Sequence, residues 1–480
     1  MLTIGGKIVD KAREIALKVL YKIDKENAYS NIILNDKINK NRKDINNKDI
    51  GLISEIVYGV TTWKLTLDEI IKKYSKIRLK KISPWILNIL RMSIYQIIFL
   101  DKIPKSAAVN EGVNLSKKYG GKSTGFTNAI LRKVNKEDYD EILKNENMKN
   151  LESVSKAYSM PMWIIEELKK ENLKNEEIEE ICKNSNIRPK ITIRVNTLKT
   201  NIKELKERLV SKGIEVEEGI LKDFLILNKV GNIEKLEEFQ KGLFTIQDEV
   251  AGLAALTLEP KQDEIVLDAC SSPGGKTTYL AQIMNNKGKI IAWDIYENRT
   301  KLVDATAKRL GINIIETNTK DSTVYEEYYK EKFDKILLDV PCLGLGVLKR
   351  KPDIKWQRKK DDIEEITNIQ YKILETCSKY LKEGGKLVYS TCSIFKNENE
   401  DIIYKFLKSN NDFKIEKIDK VLLKNEKEKD EKFFEKYLKN NEILQVYQNE
   451  KTDGFFICKL AKIPRKWHYY KLITFVLRLC

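Results

Sequence analysis

Cys342, in KILLDVPC, and Cys392, in LVYSTCS, each follow an apolar run that reads as a β-strand. A thiolate is a strong nucleophile, so thiols at two strand ends could carry covalent catalysis. Buried apolar cysteine is the commoner use of the residue. Two cysteines at functional edges are harder to dismiss on that ground. A second feature is IVLDACSSPGGKTT, a short strand ending in Asp268. Its turn of Cys270, Ser271, Ser272, Pro273, Gly274 and Gly275 leads into a helix opening near Lys276. The glycine pair lets backbone N–H groups approach a ligand, and a helix start favours negative charge. Such a crevice, at the carboxyl end of a parallel strand, is where open α/β sheets bind nucleotide-like ligands. Three acids fall at comparable places. Asp294 ends KIIAWD, suited to ribose hydroxyls or to capping a helix. Asp321, in TNTKDST, could meet an adenine end, and Asp339 stands just before Pro341-Cys342.

A P-loop competes for the same stretch. Gly275, Lys276 and Thr277 fit its last three positions, but Cys270 stands where its first glycine belongs. That makes a nucleotide hydrolase the runner-up, with KILLDVPC imitating its acidic strand.

The surrounding pattern must place these residues on one edge. Strands are expected at 265–269, 289–294, 313–317, 335–340 and 386–391, with helices at 277–284, 297–310, 361–381 and 397–407. Apolar strands interleaved with amphipathic helices imply a largely parallel, Rossmann-like doubly wound sheet over 243–462. Segments 443–447 and 455–461 would add an antiparallel hairpin, preceded by a charged surface loop at 424–432. A small α/β segment is expected at 151–242. Residues 1–140 read as an all-α domain, with Ser83 capping the helix opened by Pro84. Polar 138–150 reads as a linker, and 463–480 as an atypical, unusually apolar extension.

Lys and Arg number 88 against 71 Asp and Glu, a net charge of +17, which favours a polyanionic partner. Seven cysteines contain no C-x-x-C pair and His468 is the only histidine, so neither a metal site nor His-based acid–base chemistry is expected. The same cysteine usage suits a reducing cytoplasm. No apolar run is long enough to span a bilayer, and the N-terminus is charged before any apolar stretch develops. The expected form is a cytoplasmic monomer without a membrane or metal partner. The basic run 349–360, with Trp356 inside it, reads either as a track for nucleic-acid backbone with a stacked base or as a solvated basic loop.

QDEVAGLAAL, VLDACSSPGGKTT, LLDVPCLGLGVLKRKPDIKW and GGKLVYSTCSIFKNENE together resemble the Sun/RsmB family of bacterial ribosomal RNA cytosine-5 methyltransferases. AVNEGVNLSKKYG and GFTNAILRKV resemble a NusB-like RNA-binding domain. The resemblance implies S-adenosyl-L-methionine as cofactor and small-subunit (16S) rRNA as partner. It implies that Cys270–Lys276 line the cofactor site, with Asp294 at its ribose, Asp321 at its adenine side and Asp339 bordering cofactor and base. Cys392 would attack carbon-6 of cytosine, and Cys342 would aid product release. Ser271, Ser272, Val340 and Leu343 depart from the family's usual residues. A non-catalytic RNA-binding protein with a decayed enzyme domain is the remaining alternative.

Overall fold

The structure is a computed structural model that describes residues 9–26, 28–144, 150–419 and 435–464. The charged loop expected at 424–432 and the tail from 465 onward lie outside the described residues.

The chain forms two compact units, one ending at Ile187 but also containing Leu348–Lys360, the other holding the rest. The first is helical, from Lys11–Glu26 to Asn175–Asn184. Its helices start where the sequence satisfies exposed N–H groups. The Asn46 side chain accepts from Lys48 and Asp49 N–H, and Ser83 Oγ accepts from Ile86 N–H just ahead of Pro84. Their apolar stripes meet in a core that includes Ile53, Val57, Leu67, Ile89, Leu115 and Leu131. Arg91 is buried there and holds Asp24 and Asp68 at 2.7 Å each.

Three expectations change in this unit. The supposed linker contains a helix, Glu137–Lys144, whose Asp138 is buried and accepts from Lys73 Nζ, Tyr74 Oη and Asn135 N–H. Polar composition suggested solvent, but this carboxylate has partners that permit its burial. Helices Leu151–Ala157, Met162–Lys170 and Asn175–Asn184 cluster with the helical unit, although the small α/β segment was expected to begin at 151. Thr66 Oγ1 donates to Lys156 O at 2.7 Å and Leu65 N–H donates to Ser159 Oγ at 2.9 Å, tying them in.

The third change concerns the middle of the basic run, where Asp353, Ile354 and Lys355 are buried. Lys355 Nζ donates to Thr62 O, Ser159 O and Asn186 Oδ1 at 2.7–3.2 Å. Trp356 Nε1 donates to Thr61 O at 2.7 Å, and Asp353 accepts from Ser30 Oγ at 2.6 Å. This stretch therefore staples itself to helices of the first unit.

In the second unit β1 (Ile191–Val195), β2 (Glu215–Glu218), β3 (Phe224–Asn228) and β4 (Phe244–Ile246) form an antiparallel sheet of order β2-β3-β1-β4. The larger sheet contains β5 (Ile265–Asp268), β6 (Lys289–Asp294), β7 (Ile315–Thr319), β8 (Phe333–Asp339) and β9 (Leu381–Thr391), parallel in the order β7-β6-β5-β8-β9. Strands β10 (Phe413–Ile415), β11 (Leu438–Lys439), β12 (Ile443–Val446) and β13 (Phe455–Lys462) complete it, with β13 antiparallel to β9. Alternate residues feed opposite faces, as strand geometry requires. Val266, Leu337 and Val388 pack with Leu253 and Leu280, whereas Leu267, Ile336 and Leu387 pack with Leu374 and Phe406. The sheet is thus covered on both sides, as a parallel sheet must be.

Candidate active site

Chain order reverses between β5 and β8, so the crevice beyond their carboxyl ends is the topological switch point. Asp268 and Asp339 end these two strands. The loop after β5 is held by its own backbone. Ala269 N–H donates to Leu337 O, and Ser271 donates to Trp293 O from both N–H (2.8 Å) and Oγ (2.9 Å). Gly274 has φ +99°, and a Cβ there would meet Val303 Cα at 3.1 Å, so this turn needs glycine. Helix Gly275–Ile283 starts directly afterward.

A cavity of about 170 Å³ opens at this loop, lined by Cys270, Ser271, Ser272, Pro273, Gly275, Lys276, Asp268 and Asp339. Gly274 forms the turn behind it. Asp294 and Asp321 do not line this cavity. Asp294 is buried at the end of β6, where Oδ1 accepts from Tyr296 N–H at 3.2 Å and Oδ2 lies 3.4 Å from Arg299 Nε. Arg299 also reaches Ser272 O at 3.4 Å, linking that strand end to the loop. Asp321 is exposed two residues past β7, and its Oδ1 accepts from Thr323 N–H (2.8 Å) and Oγ1 (2.7 Å).

Charge in the cavity is concentrated in three groups. Lys276 Nζ lies 2.7 Å from Asp339 Oδ2 and above the Phe455 ring. Burial opposes its charge, but the Asp339 carboxylate outweighs burial and holds the ammonium above its ordinary pKa. Asp339 Oδ1 accepts from Ser390 Oγ at 3.0 Å. Burial pushes Asp268 up to about 7 against the Thr277 hydroxyl, which donates to its Oδ2. Its other oxygen, Oδ1, is buried and meets no side-chain donor among the described residues, the Cys270 N–H being the nearby backbone donor.

The two motif cysteines are neighbours, with Cys342 Sγ 3.0 Å from Cys392 Sγ. The contact with Cys392, followed by burial, pushes the Cys342 thiol well above its ordinary value. Glu398 joins both cysteine loops. Oε2 accepts from Leu343 N–H at 2.9 Å and Gln370 Nε2 at 3.1 Å, while Oε1 accepts from Ser393 Oγ. Gln370 Nε2 also donates to Pro341 O. Gly346 N–H donates to Cys392 O at 2.8 Å, so close that a Cβ on Gly346 would lie 2.7 Å from that oxygen.

Sequence reasoning missed Glu398 because FKNENE resembles any solvated helix start. It also missed Arg194, fully buried in β1, whose Nη1 donates to Gly275 O (2.7 Å) and Gln247 Oε1 and whose Nη2 donates to Thr278 Oγ1. Burial pulls its guanidinium down to about 9. Gln247 lines the cavity, and its Nε2 is a buried donor with no hydrogen-bond partner among the described residues. Cys182, Cys377 and Cys458 are buried and form no disulfide. Among the described residues no three His, Cys, Asp or Glu side chains gather as a metal site, and no helix is long and apolar enough to cross a membrane.

The five-stranded parallel order, with a glycine-turned loop at its switch point, defines a Rossmann-like methyltransferase fold. Three family models match successive parts of the chain. They are the NusB family over 10–136, a "Methyltr_RsmF/B-like, ferredoxin-like domain" over 160–234, and "16S rRNA methyltransferase RsmB/F" over 255–461. A probable ribosomal RNA small subunit methyltransferase B of Bacillus subtilis (strain 168) is 38% identical, the match covering 79% of this chain and 84% of that protein. Its namesake from Synechocystis is 33% identical over 79% and 85% of the respective chains. The solved structure of PH0851 has a TM-score of 0.74 at 28% identity, covering 95% of this chain and 100% of that one. A Pyrococcus horikoshii methyltransferase homolog gives 0.54 at 31%, covering 66% and 99%. The chain belongs to the RsmB/F family of 16S rRNA methyltransferases. The nucleotide-hydrolase alternative falls with that assignment, as the missing glycine at Cys270 anticipated.

Proposed function

We propose that this methyltransferase transfers a methyl group from S-adenosyl-L-methionine to carbon-5 of a cytosine in small-subunit rRNA through a covalent Cys392 adduct. The observation that carries the reading is the 3.0 Å approach of Cys342 Sγ to Cys392 Sγ beside the Lys276–Asp339 pair. The cavity fits a zwitterionic sulfonium cofactor. On its lining Asp268 Oδ1 meets no side-chain donor and Gln247 Nε2 no acceptor among the described residues, suiting an ammonium and a carboxylate. The loop Cys270–Lys276 would hold the cofactor, with Asp294 at its ribose and Asp321 at its adenine side. When bound, the cofactor supplies an electrophilic methyl group.

Carbon-5 of cytosine is a poor nucleophile. Addition of the Cys392 thiolate to carbon-6 would move the ring's double-bond electrons toward carbon-5, which would form its bond to the methyl as the methyl–sulfonium bond breaks and leaves its electron pair on a neutral thioether. Afterward the carbon-5 proton would pass to a base, the C–H electrons restoring the double bond as the carbon–sulfur bond breaks and its pair leaves on the Cys392 thiolate. Cys342 aids that release from hydrogen-bond distance. Asp339 borders cofactor and base, its two oxygens fixed by Lys276 and Ser390. The target cytosine is unpaired or flipped out, because stacking blocks carbon-6. The helical domain grips RNA, and the enzyme works in the cytoplasm as a monomer.

Denaturing gels of enzyme mixed with substrate RNA test the two cysteine roles. Cys392→Ala should form no covalent band, whereas Cys342→Ala should accumulate one. Normal methylation by Cys392→Ala would refute the nucleophile. Bisulfite sequencing identifies the cytosine.

A further inference from the structure

We infer that Arg194 is a positioning residue for cofactor binding: by holding Gln247 Oε1, it presents Gln247 Nε2 to the carboxylate of the cofactor's amino-acid end. This role rests on S-adenosyl-L-methionine being the cofactor, not on the cysteine mechanism.

Arg194 comes from β1, outside the sheet that carries the cavity, and is 1% exposed. A guanidinium that deep is usually paired with a carboxylate. This one has no ion pair among the described residues, and Asp223 acts on it through space. Its partners are Gly275 O at 2.7 Å, Thr278 Oγ1 at 3.0 Å and Gln247 Oε1. Thr278 Oγ1 in turn donates to Gly274 O at 2.7 Å. The Tyr279 ring lies against the guanidinium, its centroid 4.5 Å away. A residue of the smaller sheet therefore grips both the glycine turn and the first turn of helix Gly275–Ile283.

The bond to Gln247 decides which way that amide points. A guanidinium only donates, so the carboxamide turns its oxygen to Arg194 and its NH2 group away. Gln247 is 7% exposed, lines the cavity and lies over Gly275, where a Cβ would come 3.9 Å from Nε2. Nε2 has no partner among the described residues, and an unmet buried donor is costly until an acceptor arrives.

Charge selects that acceptor. The Arg194 cation sits beside the N-terminus of helix Gly275–Ile283, itself the positive end of the helix dipole. Both favour an anion beside Gln247. Lys276, the cation on the lining, is already engaged by Asp339 at 2.7 Å. Asp268 stands on the same lining and suits an ammonium. An α-amino acid carries those two charges on one carbon.

The test is calorimetry of the full-length protein, without RNA, against S-adenosylhomocysteine and methylthioadenosine. Both are adenosine thioethers, and the first alone carries the amino-acid group. Gln247→Ala should weaken S-adenosylhomocysteine binding roughly 10- to 100-fold, the loss expected for one hydrogen bond to a charged group, and leave methylthioadenosine unchanged. Gln247→Glu should lose at least as much, because its carboxylate pairs with Arg194 and turns an oxygen toward the ligand's carboxylate. Arg194→Met should move the ratio of the two affinities in the same direction, and should move it no further in a Gln247→Ala background. Equal loss of both ligands in folded Arg194→Met overturns the positioning role, and so does a further change of ratio in the double variant. Should Arg194→Met not fold, wild-type S-adenosylhomocysteine affinity in Gln247→Glu overturns it instead. Wild-type protein that binds neither ligand would sink the cofactor reading, whereas normal wild-type binding with an unmoved ratio in Gln247→Ala sinks the Arg194 role alone.

Discussion

Glu398 is buried and accepts from Leu343 N–H in the loop that carries Cys342, from Ser393 Oγ beside Cys392, and from Gln370 Nε2. These bonds run to the loops rather than to a sulfur, which is the part of a positioning residue. Glutamine at 398 would turn one acceptor into a donor facing donors, and an unsatisfied buried group costs about 1–3 kcal/mol. Glu398→Gln should therefore slow adduct formation by roughly 10-fold or more, since misplacement by about 1 Å can cost that much. Cofactor affinity measured by calorimetry should stay unchanged, because Gln247 and the Cys270–Lys276 loop are untouched. A variant with the wild-type adduct rate would show that the shared carboxylate positions nothing.

At the scale of elements, Leu348–Lys360 leaves the methyltransferase unit in sequence but packs within the helical one. Its anchor is Lys355, which burial drags down to about 7 from an ordinary value of 10.5, with only a weak opposing pull from Cys182. A base whose pKa is depressed on folding is protonated more fully in the unfolded chain between the two values. Stability then rises as pH climbs from about 7 toward 10, and below pH 7 the full penalty of the buried charge is present. Lys355→Met removes that dependence. Its melting temperature should gain on wild type at pH 6 and lose the advantage by pH 10. Parallel melting curves for the two proteins across that range would refute the buried-ammonium account.

For the whole molecule, the excess of 17 positive charges should act on polyanionic RNA far more than on a small cofactor of single net charge. RNA affinity should fall by orders of magnitude between 50 and 200 mM salt if about six or more phosphates are contacted. Cofactor affinity should change by less than roughly twofold over that range, since the charged groups of the cavity, Lys276 and Asp268, are largely buried and screened little by salt. Calorimetry for the cofactor and anisotropy for RNA across one salt series check both. A flat RNA series would mean that the charge excess is compositional only.

Local pattern was enough to read the alternating strands and helices of the large sheet, the Ser83 cap and the glycine turn before Lys276, because each depends on residues close in sequence. It also named both cysteines, since strand-end placement follows from the run before each one. Their 3.0 Å separation depended on β8 and β9 pairing in register, Asp339 opposite Ser390, which sequence spacing alone does not state. The residues misread or overlooked were polar side chains with distant partners. Asp138 meets Lys73, Lys355 meets Thr62 and Asn186, Arg194 meets Gly275, and Glu398 meets Leu343. A polar residue looks solvated in any short window. Only the folded chain brings the group that makes its burial affordable in free energy, and so only tertiary structure decided which charges of this protein face water.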